Sequence, residues 1–556
     1  MQNAVKYESE AEVGAVMGKL MGEHPELRER GDEISGVAPG VVERVNGMSH
    51  KERLGRLEEI APELLEELEE DDEPEDEGLP ELPNVGDDVV MRFAPNPNGP
   101  PTLGSARGMV VNDEYVREHD GKLVLRFDDT DPVNKPPVEE AYGWYQEDAE
   151  WLRIEPDEVY RASDRMETYY KYAEELIEKE GGYVCTCGQN EFQELKKKGE
   201  ACPHRDRDRE DNLREWRRML DGGYGVGDAV LRVKTDIEHK NPALRDWVAF
   251  RVVDTESYPH ARVGSEYVVW PMLDFQSGID DHLLGVTHII RGKDLSDSEG
   301  RQEFVYDYFG WSYPEVLHWG RISIEEYGTL STSSLSEAIE NGEYDGWDDP
   351  RVPSVRAMRR RGIRPEALRS TYIDLGVSKS DIDFSMDHVY AENRKLVDES
   401  SDRYFFVRQP TEAKLAGIGE TEVEVPLHPE KDRGTRTLHI DDSILVEPSD
   451  LPEVGEKLRL KSFCNVRVTS KDPVTLEYIG NSLDVVRDGD VDVIHWLPSD
   501  EKQLIETQVR GPQQDWTGVA EKNIEGHEDE VVQFERVGFT RIEETGDSCI
   551  GFYAHR

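Results

Sequence analysis

Apolar positions change their spacing along the 556-residue chain, and each change marks a different kind of element. Within residues 1–65, apolar side chains recur every three or four positions in 11–20 and 54–68, a period typical of amphipathic helices. Residues 66–88 are rich in Asp, Glu, Pro and Gly, which is typical of an exposed linker. The pattern therefore predicts a small N-terminal helical unit followed by an acidic linker.

A strand, loop, helix and second strand follow this segment. The apolar run VVMRF predicts a strand, residues 94–101 are a loop rich in Pro, Asn and Gly, Leu103–Glu118 has helical spacing, and Lys122–Phe127 is again strand-like. This is a βαβ unit of an α/β fold, in which a ligand is expected where the first strand ends and the helix begins. We assign residues 89–181 and 266–334 to the two halves of one sheet.

Cysteines and charged turns interrupt this pattern over residues 182–265, which we interpret as an insertion between the two halves. Apolar strands are expected to resume in Tyr267–Phe275 and Gly285–Gly292, and residues 335–405 have helical spacing. Beyond them, residues 406–556 contain short alternating stretches that predict β-barrels, namely 422–427, 457–468 and 490–497.

Composition adds a strong acidic bias, with 66 Lys and Arg against 120 Asp and Glu and a net charge of −54. The 36% of hydrophobic residues and 47 Gly are still compatible with a globular chain. Negative charge opposes phosphate binding, except in molar salt, where the Debye length falls to about 3 Å. The charge fits a salt-adapted protein, and an acidic surface that binds a basic partner is the alternative.

The sequence contains no run of about 18 apolar residues and no basic start followed by an apolar stretch, so we expect a cytoplasmic protein. Three of its five cysteines lie together in the pattern Cys185-x-Cys187 and Cys202-x-His204. Three thiolates and one imidazole fit a closed, tetrahedral structural zinc site with no open catalytic position, and unligated thiols are the alternative. The other cysteines lie in strand-like runs and are expected in the core.

Two motifs point to a family. RFAPNPNG (92–99) and RFDDTDP (126–132) closely resemble signature segments of the glutamyl- and glutaminyl-tRNA synthetases, which are class I enzymes. Further segments resemble the family in the same order: GVTHIIRG (285–292), GWDDPR (346–351), ENRKLVD (392–398) and FERVGFTRI (534–542). The resemblance implies a class I Rossmann-type catalytic domain with a zinc-bearing insertion, a helical stem-contact region and C-terminal β-barrel anticodon-binding domains, of the archaeal type.

The resemblance also implies the substrates and the residues that bind them. ATP with Mg²⁺, L-glutamate and tRNA(Glu) are expected, tRNA(Gln) is a second candidate, and we expect a monomer. Arg291 occupies the position where glutamyl enzymes have Arg and glutaminyl enzymes usually have Cys, which favours glutamate. The implied sets are Arg92, Ala94, Asp128 and Arg291 for the amino acid; Asn96, Gly99, Thr102, Gly104, Ser105, Arg107, Leu330 and Ser331 for ATP; and Arg351, Arg356, Arg359, Arg360, Arg361 and Arg364 for tRNA.

Two departures from the family concern the catalytic signatures. The first signature, His-Ile-Gly-His, is replaced by TLGS (102–105), and the second, Lys-Met-Ser-Lys-Ser, by TLSTS (329–333). The candidate catalytic residues are thus Thr102, Gly104, Ser105, Ser331, Thr332 and Ser333. Losing the usual cations removes charge stabilisation that can be worth several kcal/mol. Either hydroxyls, backbone amides, Mg²⁺ and Arg107 or Lys293 replace them, or the chain is a tRNA-binding relative without activation; a glutaminyl enzyme is the remaining alternative.

Overall fold

The computed structural model describes residues 31–48, 78–86, 88–327, 331–487 and 491–556, together with Val13, Val16, Arg53 and Arg56. The chain divides into two compact units, Met1–Glu77 and Gly78–Arg556. In the first unit, helix α1 (Gly31–Asn46) buries Ala38, Val42 and Val45. Of the predicted helices 11–20 and 54–68, only Val13, Val16 and Arg56 are described, and all three are helical.

The second unit contains the remaining elements, which follow one another along the chain in three parts. The first part comprises β1 (Val90–Phe93), α2 (Leu103–Glu118), β2 (Lys122–Phe127), α3 (Glu139–Trp151), β3 (Glu158–Arg161), α4 (Met166–Glu178), β4 (Gly182–Cys185), α5 (Gln189–Lys198), α6 (Arg209–Leu220), β5 (Val230–Val233), β6 (Val248–Val252) and β7 (Val269–Pro271). The middle part comprises α7 (Leu273–Leu283), β8 (His288–Gly292), α8 (Ser296–Phe309), β9 (Glu315–Trp319), β10 (Ile322–Ile324), α9 (Thr332–Glu340), α10 (Val355–Arg361), α11 (Pro365–Asp374), β11 (Ile382–Phe384) and α12 (Met386–Val397). The last part comprises β12 (Arg403–Tyr404), β13 (Phe406–Arg408), β14 (Thr411–Ala416), β15 (Thr421–Pro426), β16 (Thr435–Ile440), β17 (Ser443–Val446), β18 (Lys457–Leu460), β19 (Asn465–Lys471), β20 (Val474–Gly480), α13 (Asp484–Arg487), β21 (Asp492–Ile494), β22 (Leu497–Pro498), β23 (Leu504–Arg510), β24 (Trp516–Glu521), β25 (Val531–Phe534), β26 (Gly538–Thr545) and β27 (Ser548–His555).

A five-stranded parallel sheet, in the order β3-β2-β1-β8-β9, forms the centre of this unit. The predicted helix Leu103–Glu118 and strand Lys122–Phe127 are confirmed at both ends. Met91 of β1 lies opposite Leu123 on one side and His288 on the other. Strands buried on both faces are continuous apolar runs, which is why the sequence pattern located them well.

The segment before β1 is largely exposed and irregular, as expected of a linker, but one of its described residues is buried. Leu82 is buried in the apolar cluster around the parallel sheet, and the carbonyls of Pro80 and Pro83 accept hydrogen bonds from Tyr115 and His288. Leu82, with Leu79 packed beside it, therefore fastens residues 78–86 to the sheet, which the acidic composition of the segment did not predict. Residues 66–77 lie outside the described residues.

The insertion has its own four-stranded antiparallel sheet, β4-β5-β6-β7. Its last strand is Val269–Pro271, which pairs with β6, and the helix α7 begins at Leu273. The prediction that Tyr267–Phe275 returns the chain to the first sheet is therefore wrong. Trp270 is fully buried in the core of the insertion. The apolar run therefore predicted burial correctly, but it did not predict which sheet the strand joins.

Residues 335–405 are mainly helical, as predicted, with the short strand β11 pairing to β10. The C-terminal part forms two seven-stranded mixed sheets and the hairpin β15–β16, each sheet with its own apolar cluster. The stretch 457–468 is a hairpin of β18 and β19, because Ser462 turns the chain with φ 59°. Within the described ranges, every helix is too short or too polar to cross a lipid bilayer.

Candidate active site

A cavity of about 510 Å³ lies at the carboxyl edge of the parallel sheet. Arg92 comes from the end of β1, Asp128 directly follows β2, Arg291 belongs to β8, and Trp319 ends β9. All four residues line the cavity. This is the place where parallel α/β sheets bind ligands, since the strand ends and the following loops leave a crevice there.

Buried charges surround this cavity. Arg126 is fully buried and lies 2.7 Å from carboxylate oxygens of both Asp128 and Asp281, and Arg92 lies 3.3 Å from Asp281. Burial opposes the ionisation of Asp281, but Arg126 and Arg92 together lower its pKa. Three guanidiniums, with Arg291 as the third, face two carboxylates. The cluster therefore carries a surplus positive charge.

Arg291 is the source of this surplus. Its Nη2 donates to Oε1 of Gln302 at 3.1 Å, while Nη1 is buried without a hydrogen-bond partner among the described residues. Gln302 is itself held by Ser277 Oγ at 2.7 Å and by the hydroxyl of Tyr313 at 2.5 Å. A buried cation without a carboxylate partner is costly, so the arrangement suits an anionic ligand group.

Asp128 faces the cavity from the opposite strand. Its Oδ1 accepts hydrogen bonds from Nε of Arg126 at 2.7 Å and Nε2 of Gln276 at 2.9 Å. Burial raises the pKa of Asp128, although the neighbouring Arg126 and Gln276 favour its charged form. Asn96 donates to the backbone carbonyl of Asp128 at 3.0 Å, which leaves its own buried Oδ1 unpartnered within the described chain. Ala94 completes this wall of the cavity.

The structure thus brings five predicted residues together, namely Arg92, Ala94, Asn96, Asp128 and Arg291. Sequence reasoning missed Asp281, Gln276 and Gln302, which hold those residues in place. A signal for the first two exists in α7, where the run LDFQSGIDDHL places polar side chains on a helix that is buried along most of its length. Polar residues on a buried helix have partners, which periodicity alone does not identify.

The two altered signatures lie beside each other but do not line this cavity among its described residues. Thr102 is the buried N-cap of α2 and accepts a hydrogen bond from the backbone N–H of Ser105 at 3.4 Å. Ser331 is the N-cap of α9, and a Cβ on Gly99 would lie 2.6 Å from Cγ2 of Thr332. Gly99 therefore permits close approach of the second signature. Gly104 lies in the first turn of α2 and Ser333 in that of α9, whereas residues 329 and 330, including the predicted Leu330, lie outside the described residues.

The structure corrects the prediction that Arg107 binds ATP. Its guanidinium is buried 4.7 Å from the ring centre of Trp319 and donates to the carbonyl of Gly376 at 2.7 Å. The residue therefore joins α2 to the segment after α11. Helix amphipathicity did not reveal this, because α2 is buried on nearly all sides.

The six arginines predicted to bind tRNA have different surroundings. Arg361 is fully buried, so the prediction is wrong for this residue. Arg359 and Arg364 are exposed, and no carboxylate of the described residues forms an ion pair with either. The others are engaged with acidic side chains: Arg351 with Asp349, Arg356 with Glu147, and Arg360 with Glu543 and Asp348.

The predicted metal ligands meet in the insertion. The ligand atoms of Cys185, Cys187, Cys202 and His204 all lie within 4.8 Å of one another, and the Sγ atoms of Cys185 and Cys202 are 3.8 Å apart. Two Zn–S bonds of about 2.3 Å at a tetrahedral angle place sulfurs about 3.8 Å apart. Nε2 of His204 lies 3.0 Å from the hydroxyl of Thr186, which leaves Nδ1 facing the thiols. The hydrogen bond with Cys202, with Arg232 nearby, lowers the pKa of Cys185, and the same bond raises the pKa of Cys202, so the negative charge of this pair lies on Cys185.

A second cavity, of about 740 Å³, lies along the insertion and shares Arg251, Leu273 and Asp274 with the first. Lys196 and Arg232 line it, and no carboxylate of the described residues pairs with either. Burial, together with the nearby Arg301 and Arg232, lowers the pKa of Lys196 to about 8. Exposed apolar side chains form its rim: Val133, Val226, Tyr258, Leu273 and Leu295. Cations beside exposed apolar groups suit a single-stranded polynucleotide, whose phosphates and bases need both.

Two family models match the chain, both of class I tRNA synthetases for Glu and Gln: the catalytic domain over residues 88–399 and the anticodon-binding domain over 401–480. A protein named glutamate–tRNA ligase from Methanothrix thermoacetophila is 52% identical over 100% of this chain and 98% of its own length. Those of Haloarcula marismortui and Natronomonas pharaonis are 52% and 51% identical over 100% of this chain and 96% of each relative. The chain belongs to the glutamate–tRNA ligase family of class I tRNA synthetases.

Proposed function

We propose that the chain ligates L-glutamate to tRNA(Glu) in two steps. The α-carboxylate of glutamate attacks the α-phosphate of ATP, giving glutamyl-adenylate and pyrophosphate. A 3′-terminal ribose hydroxyl of tRNA then attacks the acyl carbon of the adenylate, which forms glutamyl-tRNA and releases AMP. The carboxylate is already a nucleophile, so the protein contributes positioning and charge stabilisation. Mg²⁺ accompanies ATP. By resemblance to the family, tRNA(Gln) is a second candidate acceptor.

The buried, unpaired Nη1 of Arg291 is the observation that carries the choice of glutamate. A side-chain carboxylate would neutralise the surplus charge of the site, whereas an amide would leave a buried cation without a counter-charge. On the opposite wall, Asp128 would accept hydrogen bonds from the α-ammonium group of the substrate. The relatives are named for glutamate, which agrees with this assignment.

We infer that hydroxyls and backbone amides replace the cations missing from both signatures. Thr102 and Ser331 begin α2 and α9, and helix N-termini offer unpaired N–H groups and a favourable dipole to phosphates. The contact of Gly99 with Thr332 supports this interpretation, since it puts the second signature against the loop three residues before the first. Ser105, Ser333 and Mg²⁺ would complete the phosphate site.

Aminoacylation in molar KCl tests the proposed function. Purified protein, ATP, Mg²⁺, total tRNA and radiolabelled glutamate or glutamine are mixed, and attachment to tRNA is counted. Attachment of glutamate alone is the expected result. Attachment of glutamine would overturn the role of Arg291, and a folded protein that binds tRNA but charges neither amino acid would favour the non-catalytic alternative.

The molar salt of this assay follows from the charge. We propose that the chain is an archaeal, salt-adapted member of its family, because a net charge of −54 repels a polyanion strongly unless salt screens it. Activity that rises between about 0.1 M and molar KCl, where the Debye length falls from about 10 to 3 Å, would support this. A cytoplasmic location follows from the proposed substrate, since charged tRNA is used by ribosomes.

We further propose that tRNA crosses α10 and α11 and that its acceptor end enters the second cavity. Arg359 and Arg364 would contact phosphates of the stem, since both are exposed and free of ion pairs with described residues. Lys196, which is partly exposed, would neutralise a phosphate of the acceptor end, and the buried Arg232 would add to the positive potential of the cavity. This cavity shares residues with the first one, so an acceptor strand in it would reach the adenylate.

Arg359→Ala and Arg364→Ala should each raise KM for tRNA several-fold and leave kcat unchanged, because a phosphate contact contributes to binding alone. Each should also reduce the salt dependence of binding by about one unit of slope. Arg117→Ala is the matched control, since Arg117 is exposed but ion-paired with Asp113 at the far end of α2. Equal changes of KM for tRNA in the control and in both variants would contradict the proposal that tRNA crosses α10 and α11.

The Cys₃His cluster, we propose, holds one structural zinc ion. Elemental analysis of the purified protein should then find about one zinc per chain, the number a four-ligand site holds. Cys202→Ser should lower zinc affinity at least about a hundredfold, since losing even an outer partner costs about 10–100-fold. The variant should charge tRNA poorly, because the second cavity is built on the same insertion. Cys549→Ser, which changes a buried thiol of β27, is the control and should keep its zinc.

A further inference from the structure

Arg361 is a buried cation that joins three separate segments. Its Nε and Nη2 donate to the carbonyls of Tyr553 and Ala554 at 2.9 and 2.6 Å. Its Nη1 and Nη2 donate to the hydroxyls of Tyr327 and Tyr390 at 3.0 and 2.9 Å. No carboxylate of the described residues pairs with it. Two phenols and two carbonyls therefore compensate the cost of burying this charge, and they must stay in place to do so.

The three segments belong to different parts of the fold. Tyr553 and Ala554 lie on β27, which is central in the C-terminal sheet between β26 and β23. Tyr390 lies on α12, and Tyr327 follows β10 in the catalytic region. The end of α10 also packs directly on the C-terminal sheet, because a Cβ on Gly362 would lie 2.7 Å from Cγ2 of Val531. Arg361 is thus a buried polar connection between α10 and the C-terminal sheet, beside the buried hydrogen bond of Asn393 with His555.

Tyr327 precedes the second signature by only one residue, since that signature begins at residue 329. The neighbouring Glu326 is also fixed, because its carboxylate accepts hydrogen bonds from Ser385 Oγ at 2.8 Å and the backbone N–H of Met386 at 3.0 Å. Further along the chain, Thr332 of the second signature lies against Gly99, in the loop that leads into the first signature. The segment that leads into the second signature is therefore anchored where Arg361 holds it.

We propose that Arg361 is a positioning residue for the activation step: it holds Tyr327, the last described residue before the second signature, against β27. The inference rests on the proposed aminoacylation and adds to it a link between the C-terminal sheet that contains β27 and the segment leading to the phosphate site. Arg361 touches no substrate. It acts through Tyr327, so its effect falls on kcat and not on the affinity for glutamate or tRNA.

A matched pair of variants tests this link. Tyr327→Phe and Tyr390→Phe each remove one hydroxyl that accepts from the same guanidinium, but only Tyr327 adjoins the signature. Adenylate formation is followed as glutamate-dependent ATP–pyrophosphate exchange with saturating tRNA. Tyr327→Phe should lower kcat about tenfold, the order that one hydrogen bond to a charged group supports, with KM values within about twofold. Tyr390→Phe should keep kcat within about twofold of the wild-type value, a much smaller change than the tenfold loss expected for Tyr327→Phe.

Arg361→Lys adds a non-additivity test. Lys cannot reach both carbonyls and both phenols, so kcat should fall at least as far as in Tyr327→Phe, and adding Tyr327→Phe to it should cause no further loss. Equal kcat values in the two tyrosine variants, beside an active wild-type protein, would overturn the positioning role while leaving the proposed function intact. A wild-type protein that charges no tRNA would overturn both. If Arg361→Lys does not fold, the tyrosine pair decides alone.

Discussion

Arg291→Cys should lower kcat/KM for glutamate about a thousandfold, because removing one partner of a buried charge pair costs about 2–5 kcal/mol and each 1.4 kcal/mol is tenfold. The substitution removes the buried Nη1 of Arg291. This nitrogen has no hydrogen-bond partner among the described residues and would bind the side-chain carboxylate of the substrate. The Kd for ATP should change little. The preference for glutamate over glutamine should fall too, since the cation that disfavours an amide is gone.

Steady-state kinetics with glutamate and glutamine, and equilibrium binding of ATP, check this prediction. Arg262→Cys is the control, since Arg262 forms a partly exposed ion pair with Asp164 at 3.1 Å. Exposed pairs contribute about 0–1 kcal/mol, so its kcat/KM should remain within a few-fold of wild type. Equal losses for glutamate and ATP in Arg291→Cys would remove our assignment of this residue.

Glu521→Ala should destabilise the C-terminal sheets by about 3–5 kcal/mol, because it leaves Arg436 buried without its counter-charge. Nε and Nη2 of Arg436 lie 2.5 and 2.7 Å from the two carboxylate oxygens of Glu521, and both side chains are buried. The backbone N–H of Phe405 donates to the same carboxylate at 2.6 Å. The pair thereby ties the β15–β16 hairpin to the end of β24.

Urea unfolding measures this effect, since a loss of about 3–5 kcal/mol lowers the midpoint by roughly 1–3 M at typical slopes. The shift should persist in molar KCl, because buried pairs are screened little. Glu525→Ala is the matched control: Glu525 pairs with Lys522 at 3.6 Å and is exposed. A midpoint for Glu521→Ala equal to that of the control would show that the buried pair does not stabilise the sheets.

The candidate site was predictable where one strand and the loop after it decide the outcome. Arg92, Asp128 and Arg291 each stand at or just beyond the end of an apolar strand, so their place at the carboxyl edge followed from local patterns. The metal cluster followed from residue spacing alone. What the strands do not reveal is how these side chains are held. Arg126 pairs with Asp281, which is 155 residues away in the chain.

The arginine island shows the same limit more sharply. Neighbours in RRRGIR have opposite surroundings: Arg361 is buried under β27, whereas Arg359 and Arg364 are exposed. Nothing in the helical pattern distinguishes these arginines, because Arg361 is covered by β27, the last strand of the chain. The apolar run ending at Phe275 likewise predicted that its residues are buried, but it did not indicate which sheet its strand joins.

The amino-acid sequence by itself determined the parallel α/β centre, the family, the Cys₃His set that meets in the insertion and the residues at the strand ends. Hydrophobic periodicity and short motifs depend only on residues within a few positions of one another, so both can be recognised without the tertiary structure. Tertiary structure alone decided which cation is left unpaired, which arginine becomes a structural connection and which polar side chains hold the site. These depend on contacts between distant segments, where burial of a charge is allowed only if a partner from elsewhere in the chain arrives to compensate it.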